Sequence, residues 1–127
     1  MTLRTLAATV AAGRVAFGAG LLLAPRVLAG PWIGSGAADP GAQMVIRGFG
    51  ARDLALGLGA LRALTGGDAG PARWWFAAQV VADATDLVVT LAAGDAVPRP
   101  VRLGVSALAT GSVAIGAAVA AAGPDAL

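Results

Sequence analysis

Residues 103–122 read LGVSALATGSVAIGAAVAAA, a stretch with no charge whose only polar side chains are Ser106, Thr110 and Ser112. A helix on the surface of a soluble bundle needs a polar stripe toward water, and three scattered hydroxyls do not make one. Roughly 20 apolar residues at about 1.5 Å each do match the ~30 Å hydrocarbon core of a bilayer. The segment reads as a membrane span.

Three more segments have the same character. Residues 5–23 stop at Ala24-Pro25, residues 43–64 are closed by Thr65-Gly66-Gly67, and residues 72–93 follow Pro71 and end at Gly94-Asp95. The last span closes at Gly123-Pro124. Gly and Pro therefore fall where helices have to break. The expectation is an all-α, four-transmembrane-helix bundle: one integral membrane domain over residues 1–127, multi-pass in a cell membrane, with the lipid bilayer as its partner. Composition agrees. Of 127 residues, 57% are hydrophobic and 13% charged, against about 45–50% and about 25% in soluble domains. The mean hydropathy is +0.79. Residues 5–23 can also be read as the apolar part of a signal peptide flanked by Arg4, but Arg14 interrupts the middle of that stretch.

The letters that are missing remove much chemistry. There is no Cys, His, Lys, Glu or Tyr; all nine cations are Arg and all seven anions are Asp. Without Cys or His no ordinary zinc, haem or iron–sulfur site is expected, so no metal and no cofactor. Ser-His-Asp and Cys-His nucleophile systems and a Lys Schiff base are excluded. Only Asp is left to exchange protons near neutral pH. The sequence pI near 11.1 is no sign of nucleic acid, because the net charge is only +2 and no basic run forms a patch.

Orientation is left open, since Arg4, Arg62 and Arg73 on one side balance Arg26, Arg99 and Arg102 on the other. Trp74 and Trp75 beside Arg73, and Trp32 in the first connection, read as interfacial anchors. That connection, Pro25 to Pro40, holds an apolar run over residues 27–33. Lying on the membrane surface is the preferred reading, folding back over the bundle the alternative. Gly57, Gly59, Gly104, Gly111 and Gly116 are expected to let helix backbones approach. Gly48-x-Gly50 and Gly57-x-Gly59 lack the preceding strand of a dinucleotide fingerprint and belong with the packing glycines.

The informative residues are charges inside the spans. Arg14 is central in the first, Arg52-Asp53 in the second and Asp83 in the third, with Asp86 one turn on and Arg47 nearer the end of the second. An unpaired charge at a helix centre costs roughly 2.5–3.5 kcal/mol even on a lenient scale. Five or six of them would prevent insertion, so they must face inward and pair. Arg suits this because its planar fork can hold two carboxylates. The expectation is an Arg–Asp network joining the first three spans, with Gln79, Thr85 and Thr90 as polar neighbours, and a fourth span closing the bundle by packing alone. Asp83, Asp86 and Asp53 are candidate acid/base groups; Arg14, Arg47, Arg52 and Gln79 are candidate ligand-binding groups. Two carboxylates within one turn repel, which favours a proton on one of Asp83 and Asp86 and a role as an acid, while neighbouring Arg opposes this, so the protonation state is open.

The motif set Arg14-x3-Gly18, Leu22-Leu23-x-Pro25, Trp32, Arg47-Gly48-x-Gly50-x-Arg52-Asp53-x3-Gly57 and Asp83-x2-Asp86 resembles that of small four-helix bacterial integral membrane proteins of the DoxX-like kind. The likeness covers residues 10–93 and implies a four-span bundle, without an activity to carry over. An Asp/Arg/Asp set also serves soluble limonene-type epoxide hydrolases, an analogy of residue types only. Three functions fit the sequence. The first is a pocket that binds a lipophilic small molecule. The second is an acid/base enzyme opening an epoxide, or cyclising or isomerising a membrane-dissolved substrate. The third is a proton- or ion-coupled transporter or channel built as a homodimer. A purely structural ion network is the alternative to all three.

Overall fold

The computed structural model describes residues 1–66 and 69–123, and these are helical throughout apart from short connections. Five α-helices follow one another: α1 (Leu3–Leu23), α2 (Pro25–Ile33), α3 (Pro40–Thr65), α4 (Ala69–Ala92) and α5 (Arg99–Ala121). Single turns of 3-10 helix at Gly34–Ala38 and Gly94–Ala96 fill the gaps. Gly67 and Pro124, expected to break the chain, lie outside the described residues. The four long helices match the four apolar segments to within a few residues, and α5 starts earliest relative to expectation, at Arg99.

Local chemistry sets the ends. Thr2 caps α1 through its hydroxyl, which accepts from the Thr5 amide at 3.2 Å. Pro25 forces Ala24 out of helical geometry, to φ −135° and ψ 58°, and then starts α2 as its own first residue. Asp39 caps α3 by accepting from the Ala42 amide at 2.8 Å, with Pro40 in the first turn. Several arginines complete the other ends. Arg4 donates to Leu64 O at 2.6 Å, Arg47 to Leu22 O at 3.2 Å and Arg73 to Ala120 O at 2.9 Å. Each thus satisfies a last-turn carbonyl of an adjacent helix, a group with no partner in its own helix.

The bundle consists of two tight antiparallel pairs, α1 with α3 and α4 with α5, while α1 and α5 touch over a much shorter length. Glycine makes the first pair possible. A Cβ on Gly57 would stand 2.7 Å from Ala11 O, and one on Gly50 would stand 2.8 Å from Gly18 O. These two backbone contacts bracket Arg14 on α1 and Asp53 on α3 and so hold the two at one level. By contrast Gly48, Gly104 and Gly111 have nothing within 4 Å of where a Cβ would be; they were expected to be contact glycines and are not.

Polarity is inverted relative to a soluble bundle. Three helices are long and apolar enough to cross a membrane: Leu3–Leu23, Gly70–Ala92 and Arg99–Ala121. The last is the most apolar and the least buried, with only 11% of its best window inside the molecule. Leu58, Val81, Val88, Leu91, Leu103 and Leu108 all point outward. α3 is longer, at 26 residues, but carries Arg47, Arg52, Asp53 and Arg62. The dry core gathers at one end of the bundle around Ala7, Ala11, Ala60, Leu64, Ala72, Phe76 and Val119.

These contacts set a stability contrast. Gly57→Ala must push α1 and α3 apart and should cost about 1–3 kcal/mol. Gly111→Ala meets nothing and should change stability by less than about 0.5 kcal/mol. Thermal unfolding of the two variants in one detergent measures the difference.

Candidate functional site

The buried charges form one alternating chain. Arg14 Nη1 donates to Asp53 Oδ1 at 2.9 Å, and its Nη2 donates to Asp83 Oδ1. Arg52 reaches back to the same Asp53 Oδ1 with Nε at 3.2 Å and Nη2 at 3.1 Å. Its fork also grips Asp86, Nη1 to Oδ1 at 3.2 Å and Nη2 to Oδ2 at 2.7 Å. The Phe49 ring supports this guanidinium from 4.0 Å, a cation–π contact. At the other end of the chain Ser112 donates its hydroxyl to Asp83 Oδ2 at 2.5 Å and accepts from Arg14 Nη2 at 3.5 Å. The order Asp86–Arg52–Asp53–Arg14–Asp83–Ser112 therefore ties all four long helices together.

Most of the expected site residues meet here. Arg14, Arg52, Asp53, Asp83 and Asp86 are joined as expected. Arg47 is not: it is exposed and caps α1. Five residues separate it from Arg52, which turns the two about 140° apart around a helix, so one face cannot hold both. Gln79 is also elsewhere. It is buried, but its Nε2 donates to Leu56 O at 3.2 Å and it does not line the cavity beside the network. Thr85 bonds to Val81 O in its own helix, and Thr90 Oγ1 is buried without a hydrogen-bond partner. α5 does more than pack, because Ser112 enters the network. Its only signal in the sequence was a hydroxyl near the middle of a segment otherwise almost without polar groups.

Beside the network lies a cavity of about 700 Å³. Its inner wall is Arg14, Asp53, Asp83, Asp86 and Ser112; the remaining walls are apolar. Val10, Gly13 and Phe17 of α1 face Val105, Leu108 and Ile115 of α5 across it, each set on one helix face. Two of the cavity's lining residues, Phe17 of α1 and Leu108 of α5, are exposed on the outside of the molecule. α2 covers one end with Leu28, Pro31 and Trp32. The first connection thus folds back on the bundle, contrary to the preferred surface placement. Trp32 sits edge-on to Phe49, centroids 6.0 Å apart, where an interfacial anchor was expected. Trp74 is 80% exposed beside Arg73, whereas the Trp75 ring covers Gly59.

No family model matches the sequence, and neither a curated protein nor a solved structure matches it.

The network predicts a steep difference between two arginines. Arg14→Met leaves Asp53 and Asp83 buried without their shared cation, a loss of about 3–5 kcal/mol. Arg47→Gln removes one exposed hydrogen bond and should cost no more than about 1 kcal/mol. Folded yield and melting temperature in detergent read both.

Proposed function

We propose that the chain crosses a cell membrane with all four long helices and binds an amphipathic small molecule in the cleft between α1 and α5. One observation carries this reading: the ion network is the wall of an apolar cavity and is not sealed by packing on every side. A volume of about 700 Å³ lies within the usual ~300–1,000 Å³ of small-molecule sites. A polar head would meet Asp53, Asp83, Asp86 and Ser112, while an apolar body would lie along Phe17, Leu28, Val105 and Leu108. Entry from the acyl chains is supported by Phe17 and Leu108, which line the cleft and are exposed on the outer surface.

α3 as a fourth span is supported by its inner and outer faces. Arg52 and Asp53 turn into the network, Arg47 and Arg62 lie toward the ends where long side chains reach the interface, and Met44, Val45 and Leu58 form an apolar exterior. The likeness to DoxX-like proteins points the same way. Since the chain has no Cys, single-Cys labelling has no background. In open membrane fragments Leu58→Cys should resist a membrane-impermeant maleimide that labels Arg26→Cys readily. Equal labelling would remove α3 from the bilayer.

Ligand binding has its own test. Gly111 lines the cleft and a Cβ there would meet no neighbour within 4 Å, so Gly111→Phe is the change that puts bulk into the space, with the melting temperature as the check on the fold. Native mass spectrometry of the wild type from nanodiscs should show a lipophilic adduct that Gly111→Phe lacks at an unchanged melting temperature. An identical adduct pattern in both proteins would defeat the reading. Acid/base catalysis is a second reading, favoured by the fact that all three network carboxylates line the cavity. Its mark is a bound molecule that accumulates unchanged in Asp86→Asn and is converted by the wild type.

A further inference from the structure

We infer that the cleft selects a lipophilic organic cation, an amine-bearing head on an apolar body. This rests on the reading of the cleft as a binding site and adds the charge of what it takes. With Arg47 outside, the network holds two guanidinium groups, Arg14 and Arg52, against three carboxylates, Asp53, Asp83 and Asp86. With all three ionised, one negative charge is left over in an apolar surround, where an uncompensated charge is expensive. The cavity wall is more lopsided still. All three carboxylates line it, but of the two cations only Arg14 does; Arg52 lies behind, against Phe49.

Hydrogen-bonding capacity points the same way. Arg14 commits Nη1 and Nη2 to Asp53 and Asp83, which leaves an anion its Nε, a buried donor with no partner among the described residues. Asp53 takes its donors from Arg14 and Arg52 on Oδ1 alone; among the described residues none donates to its Oδ2. An ammonium brings donors and charge to that unused acceptor. Aromatic rings add to the attraction. Phe17, Trp32 and Phe49 line the cavity, three of the chain's six aromatic residues, and ring faces favour a desolvated cation. A neutral alcohol gains only hydrogen bonds here, and a carboxylate would add a second unpaired negative charge.

Three probes with one chain length separate these cases: dodecylamine, dodecanol and dodecanoate, added at pH 7 to the full chain in phosphatidylcholine nanodiscs, with empty nanodiscs subtracted. Dodecylamine should bind saturably, at least ~10-fold tighter than dodecanol, and dodecanoate should not saturate. Asp86→Asn removes the surplus charge and should erase most of the preference; Arg47→Gln, outside the cleft, should keep it. Should Asp86→Asn fail to fold, the three probes on the wild type decide alone. If dodecanol or dodecanoate binds as tightly as the amine and Gly111→Phe blocks it, the cleft is a binding site but its cation selectivity is refuted. If no probe saturates, or Gly111→Phe changes nothing, the binding reading falls and this inference with it.

Discussion

The guanidinium of Arg14, with that of Arg52 beside it, holds the two halves of the molecule at one level. α1 and α3 form one tight pair and α4 and α5 the other. Arg14 spans them, with one nitrogen on Asp53 of its own pair and the other on Asp83 of the opposite pair, where Ser112 of α5 joins in. A lysine in its place would offer a compact charge without the planar fork that reaches two carboxylates at once. The glycine contacts on either side of Arg14 and Asp53 matter for the same reason. They fix helix spacing where the ion pair needs it, and a backbone separation larger by the width of a methyl group would stretch the Arg14–Asp53 bond, the link of the network between α1 and α3.

Much of this was legible from composition and spacing. Long apolar segments cut by Gly and Pro became the long helices. The cost of a lone charge in such a segment predicted that Arg14, Arg52, Asp53, Asp83 and Asp86 would find one another. What failed was any argument that ignored helix rotation. Arg47 lies in the same span as Arg52 and has the same charge, but five residues away it faces another way. Gln79 does share the face of Asp83, four residues apart, yet one turn further along that face meets the backbone of α3 at Leu56 instead of the cavity. The run over residues 27–33 is too short to span a bilayer, and composition alone does not choose between lying on the bundle and lying beside it. Glycine identity was equally silent. Gly57 is a contact and Gly111 is open space, a distinction that only the neighbouring helix makes.

The same small residues therefore serve opposite ends. Around Phe76 and Val119, alanines let the helices close into a dry core. Toward the other end, Gly13 and Gly111 leave volume unfilled, and α2 spans the resulting gap with Leu28, Pro31 and Trp32. Arginine is divided in a similar way. Two arginines neutralise carboxylates in the interior, while Arg4, Arg47 and Arg73 close helix ends at the periphery. A lone charge type performs both tasks because the guanidinium donates in several directions and never loses its proton.

An ion network kept only to fix helix register has simple requirements. Its charges should cancel and its surroundings should be packed, since each unfilled or unpaired position weakens the bundle. Neither condition holds here. Removing Asp86 on paper would leave Arg52 paired with Asp53 and the count balanced, yet Asp86 is present and takes both ends of the Arg52 fork. A Cβ at Gly13 or Gly111 would meet nothing within 4 Å, and both positions line the cleft, so space beside the network is left unfilled. A surplus carboxylate and an unfilled apolar space, adjacent and sharing a wall, are two separate costs to stability. A molecule that fits the space and carries the missing charge would offset both at once.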